Sequence, residues 1–128
     1  EFVSKFSKKF YEEDIDSYNL AGKSKLIVST YSTLGLELLS RGKKVLFIDP
    51  FHFLGGDQIN MFTEDLEGPH WYCGHDVAII EKKIDYLLNI SDEEWKKVMM
   101  NSPFKIKYDA GNKILKELVK NKVNAQKI

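Results

Sequence analysis

Hydrophobic and polar positions change period several times along this chain, and each change marks an element. From Lys25 to Ser29 the run KLIVS is continuously apolar and rich in β-branched residues, the pattern of a strand buried on both faces of a parallel sheet. The next segment, TYSTLGLELLSRG, places Leu34, Leu38 and Leu39 on one helical face, with Ser and Thr to cap its start and Gly42 to end it. KKVLFID follows at once as a second buried strand. Strand, helix and strand with tight connections predict a βαβ unit with parallel strands and a right-handed crossover.

The flanking segments carry shorter signals. Phe2 to Asp14 alternates irregularly and reads as a short strand or a loop, whereas DSYNLAGKS predicts a short helix with Asp16 or Ser17 as N-cap and Gly22 as its stop. The stretch between Pro50 and Asp76 has glycines, prolines and aromatics without a sustained period, which predicts a long loop with HWYCG, His70 to Gly74, as a candidate short strand. Asp76 to Asn89 restores a helical period, with Ile79, Ile80, Ile84, Leu87 and Leu88 facing inward. Ser91 and Glu94 make a capping box that opens a helix carrying Trp95, Val98 and Met99 inward until Pro103 interrupts it. A last helix, Asp109 to about Val123, has Ile114, Leu115, Leu118 and Val119 as its stripe and lysines on its solvated face.

Composition narrows the function classes. With 128 residues and 43% hydrophobic content the chain can bury one core, so a single α/β domain over its whole length is expected. Nineteen basic residues balance nineteen acidic ones, which removes the bulk electrostatic argument for nucleic acid. The lone Cys73 excludes an internal disulfide, and the three histidines form no zinc-ligand spacing with it. No apolar run reaches the roughly 20 residues of a membrane span, and no signal-peptide pattern opens the chain. A cytoplasmic location is expected, with a weak attraction of the lysine-bearing last helix to the inner membrane face left open. The start at Glu1-Phe2, without Met, suggests a piece of a larger protein.

The segment with chemical content is Ser29 to Glu37, STYSTLGLE, the turn from the carboxyl end of a buried parallel strand into a helix N-terminus. Ligands of open α/β sheets bind at that edge. The first amides of a helix lack intrahelical partners and carry partial positive charge, so a phosphate fits there. Hydroxyls of Ser29, Thr30, Ser32 and Thr33 add donors, and Glu37, one helical turn further in, can accept from ribose hydroxyls. The turn carries neither a GxGxxG pattern nor a GxxxxGK[ST] loop, which disfavours dinucleotide binding and P-loop hydrolysis. The plain alternative is that Ser and Thr only cap the helix and Glu37 is a solvated surface charge.

These residues resemble a known family. KSKLIVSTYSTLGLELLSRGKKVLFID is similar to the donor-nucleotide half of GT-B glycosyltransferases, most of all to bacterial surface or capsular polysaccharide transferases with a V-S-T-x-S-T-x-G-x-E-x-x-x-x-G-K-K-V type of segment. It is more distantly similar to UDP-N-acetylglucosamine 2-epimerases. The resemblance implies a Rossmann-like three-layer domain with a parallel sheet and C-terminal helices, the C-terminal half of a GT-B fold. It also implies a nucleotide sugar as ligand, Ser32 and Thr33 on its phosphates, and Glu37 on its ribose. Asp57 and Gln58 in DQIN resemble part of a donor-sugar loop, Gly68-Pro69-His70-Trp71 resembles a G-P-F-W segment, and Asp109 and Asn112 fall in a Y-D-x-G-N-K stretch.

Transfer from a nucleotide sugar is chemically coherent here. Negative charge grows on the departing nucleotide phosphate, a preorganised helix N-terminus stabilises it, and no metal or other cofactor is required. The general base and the acceptor would belong to an N-terminal domain that this chain lacks, so the piece alone is expected to bind donor weakly and to transfer nothing. His52, His70 and His75 are the proton-transfer candidates within the chain. Two other classes stay open. One is a noncatalytic α/β interaction or regulatory module, with Asp49 as a strand-end acid; the other is a fragment of an epimerase-like enzyme sharing the phosphate turn.

Overall fold

The structure, a computed structural model, describes residues 16–30, 32–50, 66–104, 109 and 111–125. Helix α1 (Ser17–Lys23) leads to strand β1 (Ile27–Ser29), helix α2 (Thr33–Ser40) and strand β2 (Val45–Ile48). Strands β3 (Glu67–Gly68) and β4 (Trp71–Tyr72) follow, then α3 (Val77–Asn89), α4 (Asp92–Met100) and α5 (Lys113–Ala125). The strand or loop expected at Phe2 to Asp14 lies outside the described residues, as does most of the long segment after Pro50.

The four strands form one sheet in the order β1-β2-β4-β3. β1 pairs with β2 in parallel, with Ser29 opposite Phe47, and β2 pairs with β4 in parallel, with Phe47 opposite Trp71. The expected βαβ unit is therefore present, with β1 covering the last three residues of KLIVS and β2 the four apolar residues of KKVLFID. β3 departs from a purely parallel sheet: it runs antiparallel to β4 as an edge strand. Pro69 and His70 join the two in a tight turn, where proline's fixed φ favours reversal. The result is an α/β domain with an open, mostly parallel sheet of Rossmann-like type.

Local chemistry sets the helix boundaries. Asp16, Ser32, Asp76 and Ser91 are the N-caps of α1 to α4, each accepting from a backbone amide of the first turn. At α4 the capping box is complete, with Ser91 N–H donating to Glu94 Oε2 at 2.9 Å and Glu94 N–H to Ser91 Oγ at 3.2 Å. The bond from Ser91 N–H, and a second from the Ser91 hydroxyl to Oε2 at 3.2 Å, hold the Glu94 carboxyl below its ordinary pKa. Gly42, in the left-handed region at φ 88°, terminates α2 after Arg41.

All four residues of β2 are buried, which requires cover on both faces of the strand. Leu38 and Leu39 of α2, Leu87 of α3 and Trp95 of α4 complete the centre of the core with Trp71, Cys73 and Phe104. Burial pushes the Cys73 thiol up to about 11, so it acts as a small apolar group. Leu88, expected to face inward, is instead exposed on α3. The larger departure is α5, whose stripe residues Ile114, Leu115, Leu118 and Val119 all remain exposed.

Gly35 fixes how closely α2 approaches the sheet. A Cβ at this position would lie 2.5 Å from Ser29 Oγ, 2.7 Å from Ser29 Cβ and 3.0 Å from the Phe47 ring. At an open helical position Gly→Ala would stabilise by about 1 kcal/mol through propensity. Here overpacking against two buried side chains dominates, and Gly35→Ala is expected to destabilise by about 1–3 kcal/mol, read as a lower urea midpoint. A stabilised variant would mean that α2 does not rest on Ser29 and Phe47.

Candidate functional site

Because β1, β2 and β4 are parallel, their carboxyl ends share one edge of the sheet, and the N-termini of α2 and α3 follow from it. That edge carries Ser29, Thr30, Ser32 and Thr33 after β1, Asp49 after β2, and His75 with Asp76 after β4. Thr30, Ser32 and Thr33 are exposed on the turn into α2. Ser29 is separated from them: it is 7% exposed beneath α2, and its Oγ has no hydrogen-bond partner among the described residues.

Ser32 is the N-cap of α2, its Oγ accepting from Leu34 N–H at 3.2 Å, while Gly35 N–H donates to Ser32 O at 3.1 Å. Two amides of the first turn are thus served by Ser32. Its hydroxyl proton is not used in that contact and can still be donated to an anion.

Glu37 lies one turn along α2 from Thr33, on the same helical face, and its carboxylate is held from two sides. Arg41 donates to Oε1 at 2.9 Å across one turn, and the Tyr18 hydroxyl of α1 donates to Oε2 at 2.9 Å. The carboxylate in turn raises the Tyr18 pKa through that hydrogen bond and its negative charge. Each oxygen keeps lone-pair capacity for a further donor, and the side chain is 39% exposed. Tyr18 is a partner that sequence reading missed, because no local signal links positions nineteen residues apart.

The histidines separate clearly. His70 is fully buried, its ring packed edge-on to Trp71 and Trp95 at centroid distances of 5.3 and 5.5 Å. Nδ1 contacts Val45 O at 3.2 Å and Nε2 contacts Ser102 Oγ at 2.7 Å. Neutral His70 satisfies both by donating from Nδ1 to the carbonyl and accepting the Ser102 hydroxyl proton at Nε2. The expectation that His70 could approach a ligand is corrected here: its ring is sealed inside the core and both nitrogens are engaged. His75 is exposed at the carboxyl edge of β4, two strand spacings, or about 10 Å, across the sheet from β1. His52, Asp57 and Gln58 lie outside the described residues.

Asp49 is 4% exposed at the end of β2, with its amide donating to Tyr72 O at 2.9 Å. Among the described residues no group of three or more His, Cys, Asp or Glu side chains is placed to hold a metal. A cleft of about 1140 Å³ opens at the opposite edge, beside the carboxyl end of α2, between Arg41, Lys43, Lys44, Trp95 and Met99. None of the hydroxyls of the α2 turn lines it. Two of its lysines serve helix ends: Lys43 donates to Gly22 O at 3.0 Å and Lys44 to Ile90 O at 2.6 Å.

An open α/β sheet with a hydroxyl-bearing turn at a helix N-terminus defines the class of this domain. The chain belongs to the family described as "putative O-antigen biosynthesis protein", whose model matches residues 2–123. That membership supports a role in polysaccharide biosynthesis. Comparisons with the curated proteins and with the solved structures each found no match. No helix among the described residues is long and apolar enough to cross a membrane.

Burial holds the His70 imidazole down at about 4 against an ordinary 6.5, opposed by its bond to Val45 and aided by the nearby Lys83 charge. The unfolded chain therefore binds a proton that the folded chain refuses as pH falls from 6.5 to about 4. His70 should contribute stability in full above that window and lose about 3 kcal/mol across it. Urea unfolding followed from about pH 7 to about pH 5 should show this slope, and His70→Gln should flatten it; an equally steep slope in the variant would assign the effect to other groups.

Proposed function

We propose that this chain is a nucleotide-sugar-binding domain acting in surface polysaccharide synthesis, as the donor half of a glycosyltransferase. The observation that carries the reading is the exposed run of Thr30, Ser32 and Thr33 at the carboxyl end of a parallel strand, opening directly into α2. Donor phosphates sit at that N-terminus, where the helix dipole and the Ser32 and Thr33 hydroxyls offset their charge. Glu37, with lone pairs remaining beside Tyr18 and Arg41, accepts from the ribose hydroxyls. Family membership supports the process, and the resemblance of the Val28 to Val45 segment to GT-B donor domains supports the ligand class.

In the transfer itself the bond between the sugar and the nucleotide phosphate breaks. The helix N-terminus takes up the charge that develops on the phosphate, without a metal. The new bond forms between the sugar carbon and the hydroxyl oxygen of the acceptor, whose proton goes to a base on a second, N-terminal domain that binds the acceptor. His75 is the remaining described histidine on the correct edge, and His52, Asp57 and Gln58 stay as candidates for the sugar side. A second reading has a specific observation in its favour: Ser32 already caps α2 and Glu37 already has two partners, as a noncatalytic module would require.

An NMR titration with UDP, CMP, CDP and GDP, following amides from Ser29 to Glu37, separates the two readings. One nucleotide is expected to shift these amides selectively, Ser32→Ala to abolish the response, and Glu37→Ala to weaken binding by about 1–3 kcal/mol while leaving the fold intact. A folded spectrum indifferent to all four at millimolar concentration would favour the interaction module.

A further inference from the structure

Helix α5 stands apart from the rest of the described chain because none of its residues is buried. Ile114, Leu115, Leu118, Val119 and Val123 expose between 45% and 63% of their surface. At 100° per residue these five side chains span one half of the helix circumference, and Lys113, Lys116, Glu117, Lys120 and Asn124 occupy the other. The helix is about 20 Å long at 1.5 Å per residue, too short to cross a bilayer.

We infer that α5 seats this protein on an anionic lipid surface, lying in the plane of the interface with its apolar half among the acyl chains. Charge is the first argument for that occupant. α5 carries four lysines against one glutamate in a chain whose formal charges sum to zero overall, so the rest of the chain is net acidic and positive charge is concentrated on the helix whose apolar face lacks cover among the described residues. Lys122 is the second argument. It falls inside the apolar half of the circumference, where a protein partner would have to desolvate its ammonium or supply a dedicated carboxylate. At a lipid surface its four-carbon stem stays with the acyl chains while the ammonium reaches the phosphate layer. The inference does not depend on donor binding, because α5 contributes no residue to the α2 turn.

Sedimentation of the whole chain with phosphatidylcholine vesicles, with and without about one third phosphatidylglycerol, tests it. The chain should pellet with the anionic vesicles, be released by high salt, and remain in the supernatant with phosphatidylcholine alone. Leu115→Gln with Leu118→Gln should lower partitioning at least about tenfold, as should Lys113→Gln, Lys116→Gln and Lys120→Gln together. Both sets lie on exposed positions, so unchanged far-ultraviolet dichroism and melting confirm that the fold is retained. Failure to pellet with anionic vesicles, or pelleting indifferent to the leucine changes, would overturn the inference. A concentration-dependent dimer abolished by the leucine changes would overturn it in favour of a second copy as the cover. None of these outcomes bears on the nucleotide titration.

Discussion

The approach of α2 to the sheet at Gly35 is the constraint from which the site and much of the core follow. With hydrogen in place of a side chain, the helix rests on Ser29 of β1 and on the Phe47 ring of β2, two residues paired across the parallel ladder. That contact sets where the first turn of α2 lies relative to the end of β1, and so where its amides and hydroxyls are presented. It also joins the turn to the aromatic core, because Phe47 stacks on Phe104 at 5.2 Å and neighbours His70 at 6.3 Å. A shift of α2 would therefore be felt at both the exposed hydroxyls and the buried rings.

The buried polar groups divide into two kinds. His70 is satisfied: Phe104 N–H donates to Ser102 Oγ, Ser102 to the imidazole, and the imidazole to Val45 O, so one chain of bonds ties β2, the turn before β4 and the segment after α4. Ser29 Oγ is not satisfied within the described residues, and it lies directly under the turn where Thr30, Ser32 and Thr33 are exposed. The buried polar network that the described residues complete thus lies at the centre of the core, around His70.

Much of this was legible in the sequence wherever the signal was local. The βαβ unit is written in two β-branched runs flanking a helical period, and the caps of α1, α2 and α4 are Asp or Ser at the expected places. The β3-β4 hairpin was not legible as such, since two-residue strands are too short to establish a period. His70 read as a loop histidine because its partners, Val45 and Ser102, are 25 and 32 residues away. No local signal marks the role of Gly35, because its neighbours Ser29 and Phe47 lie across the sheet. For α5 the period identified the apolar face correctly, but a period cannot say whether anything lies against it. In the site, the positions of Thr30, Ser32 and Thr33 followed from the turn, whereas the burial of Ser29 and the hold of Tyr18 on Glu37 required the fold.

The lysines that bond to helix carbonyls have a consequence for how the molecule presents itself. α2 and α3 begin at the carboxyl edge of the strands, while α1 and α3 end near Lys43 and Lys44 at the other edge. Amide protons gather on one side, and on the opposite side the Gly22 and Ile90 carbonyl oxygens accept from the Lys43 and Lys44 ammonium groups. A chain with no net charge thereby acquires an electrical direction. At the carboxyl edge the Asp76 carboxylate already meets the first amides of α3, whereas α2 is capped by the neutral Ser32, so of the two helix N-termini there it is that of α2 whose polarity is not met by a capping carboxylate.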